Sequence, residues 1–391
     1  MITSVQRETI SPVQTSGELR VLHLHSGNMM GGIESVLITI AENAGSCTGF
    51  AQEIALAFDG PFAQKMRLAR MDVHPLAPPQ LRNPISIRKS RRDLQRLLDK
   101  EDFDAVISHS PWCQAVYGPV LKASGRPIVF WMHGSFDGHW LQKLASRHVP
   151  DFVICNSEYT RSTLPKVYPK VASAVLHLPV GNLSFCFSRE EIRGRLEVLS
   201  GTVVILMASR MEHWKGHLNL LHAAAQIETN VNWEIWIAGA PQTKSESDYF
   251  DSVVAEVERA GLKQRVKFLG QRNDVPDLMR ASDIFCQPNA SPEPFGVVFV
   301  EALQAGIPVV TFDMGGPHEF LDAKSGVLVP PRDIAGLSKA LQGLINNPHQ
   351  REIFRSTAPA RARELCDAGQ QMGRLHQTIA AVARIKKGAV S

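Results

Sequence analysis

Two carboxylates eight residues apart, Glu293 and Glu301, frame the stretch "SPEPFGVVFVEALQAGIPVV", Ser291 to Val310. Val297, Val298, Phe299 and Val300 before Glu301, and Ala302 and Leu303 after it, read as a buried helix of an α/β layer. An ionised carboxylate is costly there unless a partner meets it. Pro292 and Pro294 stiffen the loop that holds Glu293, and Gly296 lets a ligand come close to the backbone. A helix that starts near Phe295 leaves free N–H groups at its end, which suits an anion or a hydroxyl-rich ligand. Glu301 then lies about six residues further in, roughly 9 Å along the axis. Two carboxylates so placed can accept hydrogen bonds from different parts of one extended ligand, and sugar and ribose hydroxyls are natural partners. The competing reading pairs Glu301 with a structural arginine and leaves Glu293 in water.

Other residues extend this chemistry. Arg210 and Lys215 follow an apolar strand and precede a helix, so two cations stand at a strand's C-terminal end, where they suit a diphosphate. Preorganised cations act most strongly on the charge that develops as such a bond breaks. A solvated surface pair is the plainer alternative. His133 follows "PIVFWM" and His109 closes "AVISHS"; each is a binding candidate or a structural histidine. Gly31-Gly32 opens a helix and fits close approach to phosphate, although no G-x-G-x-x-G or Walker A motif occurs. Arg272 and Asn273 occupy a loop able to read a base. Trp112, Trp131, Phe136 and Trp140 either line an acceptor pocket or pack a core, with His109, Trp112 and Phe136 the acceptor candidates. Residues 88–100, "RKSRRDLQRLLDK", form a basic helix with Leu94, Leu97 and Leu98 on one side. It either meets anionic lipid or covers a sheet with its charges in water.

Positioning these groups takes a particular scaffold. The 391 residues suggest two domains, and 44% hydrophobic with 20% charged residues is ordinary for globular cores. No apolar run approaches the ~18–20 residues of a membrane span. Six scattered cysteines without a CxxC pair argue against a zinc site and for a reducing compartment, hence the cytoplasm. A net charge of +4 does not by itself imply nucleic acid. Residues 1–185 carry 19 basic and 15 acidic side chains and the remainder 23 of each, so the positive excess sits in the N-terminal half. Short β-branched runs alternate with helical periodicity, stop over "HLPVGNLSFCFSREEIRG" (177–194), and restart at "TVVILMAS". The expectation is α/β: two tandem Rossmann-like, doubly wound domains facing across a cleft. Expected boundaries are a flexible tail over 1–18, a first domain over 19–182, a linker over 183–200, a second domain over 201–360 and a terminal helix over 361–391.

"PEPFGVVFVEALQAGIPVVTFDMGGPHEFL" resembles the E-x7-E signature of the family-4 retaining glycosyltransferases of GT-B fold. "GGIES", "SH" at 108–109, "HG" at 133–134, "NSEYTR", "SRMEHWKG" and "SGVLVPPRD" follow in family order, so the likeness runs from about residue 19 to 340. It implies a nucleotide-diphosphate sugar as co-substrate with no cofactor. Glu301 would accept from the ribose and Glu293 from the transferred sugar. Backbone N–H groups of Phe295, Gly296 and Val297 would face sugar and phosphate, and Arg210 and Lys215 would clasp the diphosphate. His133 would lie beside sugar and acceptor, and Gly31 and Gly32 would approach from the first domain, onto which the C-terminal helix would cross back. The order Gly181-Asn182 reverses the family's usual Asn-Gly pair at the linker.

Asp102-Phe103-Asp104 resembles a metal-binding triplet of the other glycosyltransferase fold, yet it precedes its strand and so belongs on the face away from the cleft. With two cations at hand, metal independence is expected. No obvious carboxylate nucleophile accompanies the acidic pair. The resemblance implies attack on the face from which the leaving group departs, the donor phosphate taking the acceptor's proton. The expected function is transfer of a sugar to an acceptor hydroxyl in polysaccharide, glycolipid or glycoside biosynthesis. The expected setting is cytoplasmic, with possible peripheral contact at the inner face of the membrane. Two rivals stand: a nucleotide-sugar 2-epimerase of similar shape, which lacks this E-x7-E run, and a non-catalytic nucleotide-sugar binder, which would usually have lost one of Glu293, Glu301, Arg210, Lys215 or His133.

Overall fold

The computed structural model describes residues 18–27 and 31–390. The tail expected over 1–18 lies, Glu18 apart, outside the described residues. The chain divides into two compact units, one made of the N-terminal part to Pro179 together with Ala368 onward, the other of Val180–Asp367.

In the first unit seven strands form one parallel sheet: β1 (Leu19–His25), β2 (Phe50–Leu56), β3 (Asp72–Pro75), β4 (Ala105–Ser108), β5 (Ile128–Met132), β6 (Phe152–Cys155) and β7 (Ser173–Val175). Their order is β3-β2-β1-β4-β5-β6-β7. The sequence winds outward in one direction from β1 and in the other from β4, so the topological switch point lies between those two strands. Helices cover both faces, so β1, β4 and β5 are almost wholly buried and read as continuous apolar runs. Helix Pro111–Ala123, which follows β4, starts sharply because Pro111 presets its first turn and the Ser110 hydroxyl accepts the Cys113 N–H at 3.1 Å. The basic helix spans Pro84–Lys100; Leu94 and Leu98 are fully buried against β1, β2 and β4, while Arg88, Lys89, Arg92 and Arg96 are exposed. Helix Ala368–Val390 belongs to this unit too, with the His376 ring 5.0 Å from that of Phe50.

The second unit holds a six-stranded parallel sheet: β8 (Val203–Ala208), β9 (Trp233–Ala238), β10 (Val266–Gly270), β11 (Ile284–Cys286), β12 (Val309–Phe312) and β13 (Gly326–Val329). The order β10-β9-β8-β11-β12-β13 puts its switch point between β8 and β11. The break expected over 177–194 falls at Pro179, and the chain beyond that proline is structured. Helix Arg189–Arg195 is closed by a Ser188–Glu191 capping box, buries Ile192 and ties itself to the sheet through Arg189 and Arg193 on Asp283.

Candidate functional site

Each sheet gathers polar groups at its switch point. In the second unit Arg210 and Lys215 leave the C-terminal end of β8, and Glu293 sits on the loop after β11. Lys215 Nζ lies 3.0 Å from Glu293 Oε2 and 3.7 Å from the centre of the Trp214 ring. Asn289 donates to the same carboxylate oxygen at 2.7 Å, and Gln287 steadies Asn289 at 2.9 Å. Arg210 is likewise engaged, with Glu246 and with Glu212 at 3.2 Å. Both predicted cations therefore arrive with carboxylate partners.

Glycines make this closeness possible. Gly216, at φ 84°, would drive a Cβ to 1.8 Å from the Pro288 carbonyl oxygen, so only a bare backbone lets the Lys215 loop meet the loop after β11. Gly315, at φ 86°, would put a Cβ 2.2 Å from the Glu293 carbonyl oxygen. Around that contact Glu293 N–H donates to Met314 O at 3.3 Å and Gly316 N–H to Glu293 O at 2.8 Å. The backbone of Glu293 is thus clamped on one side while its side chain faces Lys215.

Helix Val297–Gln304 begins two residues later than expected, with Gly296 in the left-handed region as its N-cap and no side-chain cap. Phe295 turns its ring into the core, 5.6 Å from that of Phe320, so only its backbone is available to a ligand. Val297 opens the helix and is half-buried. Glu301 lies one turn further in. Burial pushes its carboxyl up from 4.5 to about 7, with no hydrogen bond or ion pair offsetting that. The structural arginine of the plainer reading does not exist among the described residues. Arg272 is held by its own neighbour Asp274, at 2.8 and 2.5 Å, and Asn273 is exposed.

In the first unit, the ends of adjacent strands β1, β4 and β5 carry a line of histidines. His23 Nδ1 lies 2.8 Å from His109 Nε2, and His109 Nδ1 lies 2.9 Å from His133 Nε2. Gln52 Oε1 closes the far end, 3.1 Å from His23 Nε2. Desolvation is the main reason that His23 is lowered to about 4, His133 to about 3, and His109 well below its usual value. Trp131 stacks on His133 at 5.4 Å. Beside this line His25 Nε2 pairs with Glu34 at 2.7 Å, in the first turn of the helix that Gly31 caps and Gly32 begins.

Phe136 lies inside a core cluster with Phe130 and Tyr168, which corrects its expected place in an acceptor pocket: its ring fills the space behind β5. Trp112 packs partly buried against Phe58 and Tyr117, and Trp140 is exposed. Asp104 accepts the Arg20 N–H at 3.0 Å near the start of β1, so the Asp102-Phe103-Asp104 triplet sits at the opposite strand end from the histidines. Sequence reasoning missed His23, His25 and Gln52. The period-two histidines of "LHLH" inside an apolar strand were an available signal; nothing local marked Gln52, Glu246 or Asn289. Among the described residues no helix is long and apolar enough to cross a membrane.

Comparison with known proteins shows the family. Residues 30–180 match the family model described as Glycosyltransferase Family 4, and residues 188–361 the model described as glycosyl transferases group 1. A phosphatidyl-myo-inositol mannosyltransferase of Mycolicibacterium smegmatis is 33% identical over 309 residues, 74% of this chain and 75% of the relative. Its namesake in Mycobacterium leprae is 28% identical over 306 residues, 73% and 76% of the two chains. Among solved structures, Anabaena HepE in complex with UDP and glucose aligns with a TM-score of 0.78 at 24% identity, covering 93% of this chain and all of that one. At that identity the likeness is one of fold.

Proposed function

The chain belongs to the family-4 glycosyltransferases of GT-B fold, and from that premise we propose that it moves a sugar from a nucleotide-diphosphate donor to an acceptor hydroxyl with retention at the anomeric carbon. The observation that carries this reading is the joint placement of Lys215, Glu293 and Asn289 at the switch point of the second sheet, with Glu301 unpartnered in the helix that follows.

Arg210 and Lys215 hold the diphosphate and stabilise the charge that grows on it, which is why a metal ion is not needed in the proposed reaction. Glu301 accepts from the ribose and Glu293 from the sugar, with the Gly296 and Val297 backbone beside them. Lys215 and Asn289 both sit on Glu293 Oε2, which fixes the carboxylate and leaves Oε1 to accept from the sugar, a binding role and not that of a nucleophile. The acceptor oxygen bonds to the anomeric carbon on the face from which the phosphate oxygen leaves. The acceptor's proton passes to that phosphate oxygen, giving the glycoside and a nucleoside diphosphate. The names of the mycobacterial relatives make mannose the first sugar to try and an inositol lipid the first acceptor. A lipid acceptor also fits peripheral membrane contact through the basic helix.

The test is a thermal-shift panel with uridine, guanosine and adenosine diphosphates, followed by turnover of the matching labelled sugar donor. One nucleotide should raise the melting point clearly, and its sugar should transfer with retention. Silence from all three, or inversion in the product, refutes the reading; binding without turnover returns the chain to the non-catalytic rival.

A further inference from the structure

The histidine line in the first unit has a direction. All three rings are neutral near pH 7, because burial holds each far below its usual value. A neutral imidazole carries one N–H and one bare nitrogen, so each ring donates on one side and accepts on the other. As Gln52 is oriented, with its carbonyl oxygen toward His23 Nε2 and its own amide nitrogen buried without a partner, His23 Nε2 donates. His23 Nδ1 is left as an acceptor, which makes His109 Nε2 the donor across 2.8 Å. His109 Nδ1 then accepts from His133 Nε2 across 2.9 Å. The line ends on His133 Nδ1, which is buried and has no hydrogen-bond partner.

We propose that Gln52, acting through His23 and His109, fixes which nitrogen of His133 carries the proton, and so holds His133 Nδ1 as a bare acceptor for a ligand hydroxyl. Gln52, His23 and His109 are positioning residues in this account. A one-residue mismatch of tautomers would place two N–H groups or two lone pairs face to face and break a bond, so the three rings set their protons together. A bare buried acceptor is unfavourable until a donor reaches it. A hydroxyl of the bound substrate is the group of that chemistry, a step that rests on the reaction proposed above.

The experiment reads tautomers directly. Isotope-labelled histidine and long-range nitrogen–proton correlation NMR distinguish the two ring nitrogens, and loss of signals in His133→Asn assigns the terminal ring. The intact protein should show a single state with the proton on Nε2 of His133. Gln52→Leu removes the anchor, and His133 should then appear as a mixture of both tautomers. Gln52→Met, nearer in length, gives the same reading if the leucine variant folds poorly. A proton on Nδ1 of His133 in the wild type, or an unmixed Nε2 state in both variants, overturns the proposal. In the transfer assay Gln52→Leu should lower kcat by about threefold to tenfold, the scale of one neutral hydrogen bond, with little change in donor KM. Mixed tautomers with unchanged kcat would refute the functional half. The NMR arm uses no substrate. A wrong donor assignment would therefore show as an ordered line in a protein without turnover, and a wrong line as turnover in a protein whose His133 ignores Gln52.

Discussion

Glu301→Gln separates the cost of a buried carboxylate from its use. Glu301 has its carboxyl lifted from 4.5 to about 7 by burial alone. Because the side chain keeps part of its surface in water, that elevation corresponds to at most roughly 3 kcal/mol of preference for the neutral acid in the folded chain. The sign follows from proton binding. Below about pH 4.5 both folded and unfolded chains hold the proton, and the group is neutral to stability. As pH rises toward 7 the unfolded chain releases its proton while the folded chain keeps it, so stability falls. Above about pH 7 both are ionised and the full penalty applies. By this linkage about 1 kcal/mol is lost by pH 5.5 and about 3 kcal/mol by pH 8.5.

A glutamine keeps the shape and cannot ionise. The variant's gain in stability should therefore widen by about 2 kcal/mol between those two pH values, as an upper bound, since its amide N–H groups also want partners. Hydrogen exchange of the β8, β11 and β12 amides, measured with and without urea, confines the reading to the second unit. The same variant should lose most of the thermal shift given by the preferred nucleoside diphosphate. A gain of equal size at both pH values would refute the account of burial. A normal pH response with an unchanged nucleotide shift would refute the ribose role while leaving the electrostatics intact.

Gly315→Ala should destabilise the protein by about 1–3 kcal/mol and depress turnover beyond that, because its Cβ would push the Glu293 carbonyl from a φ that disfavours side chains. Gly343→Ala, inside helix Ile334–Asn346 with nothing within 4 Å, is the control and should stabilise slightly; equal losses in both would refute the clamp. Reversing Arg88, Lys89, Arg92 and Arg96 to glutamate should abolish sedimentation with anionic vesicles at low salt while leaving the melting point near wild type, since the helix is anchored by Leu94 and Leu98. Retained binding would assign that face to solvent.

The sheets were legible because parallel strands are buried on both faces and announce themselves as apolar runs. Short edge strands were not: β3 and β7 are three or four residues long and half-exposed, too brief for any periodicity to stand out. The segment after Pro179 looked like a linker because its helix has only seven residues, and its hold on the sheet comes through Asp283, far away in sequence. The donor-side candidates were legible as a motif, Glu293 through Glu301. Their partners were not, because Glu246 and Asn289 reach Arg210 and Glu293 only once separate loops meet. Phe136 misled for a related reason: an aromatic after a strand fills a core as readily as it lines a pocket.

Those partners change what binding must mean. A diphosphate approaching Arg210 and Lys215 does not meet bare cations; it meets two cations already neutralised by Glu246, Glu212 and Glu293. Binding in the proposed complex is then an exchange of one anion for another around fixed positive charge, and part of the Coulomb gain is offset by the carboxylate that is displaced. Such a site discriminates by geometry more than by charge. A simple anion lacks the hydroxyls that would re-satisfy Glu293 and Glu301, whereas a nucleotide sugar supplies a phosphate for the cations and hydroxyl donors for the carboxylates at once. In the proposed complex, the carboxylates that compete with the phosphate are the same groups that would make a sugar attached to it the better ligand.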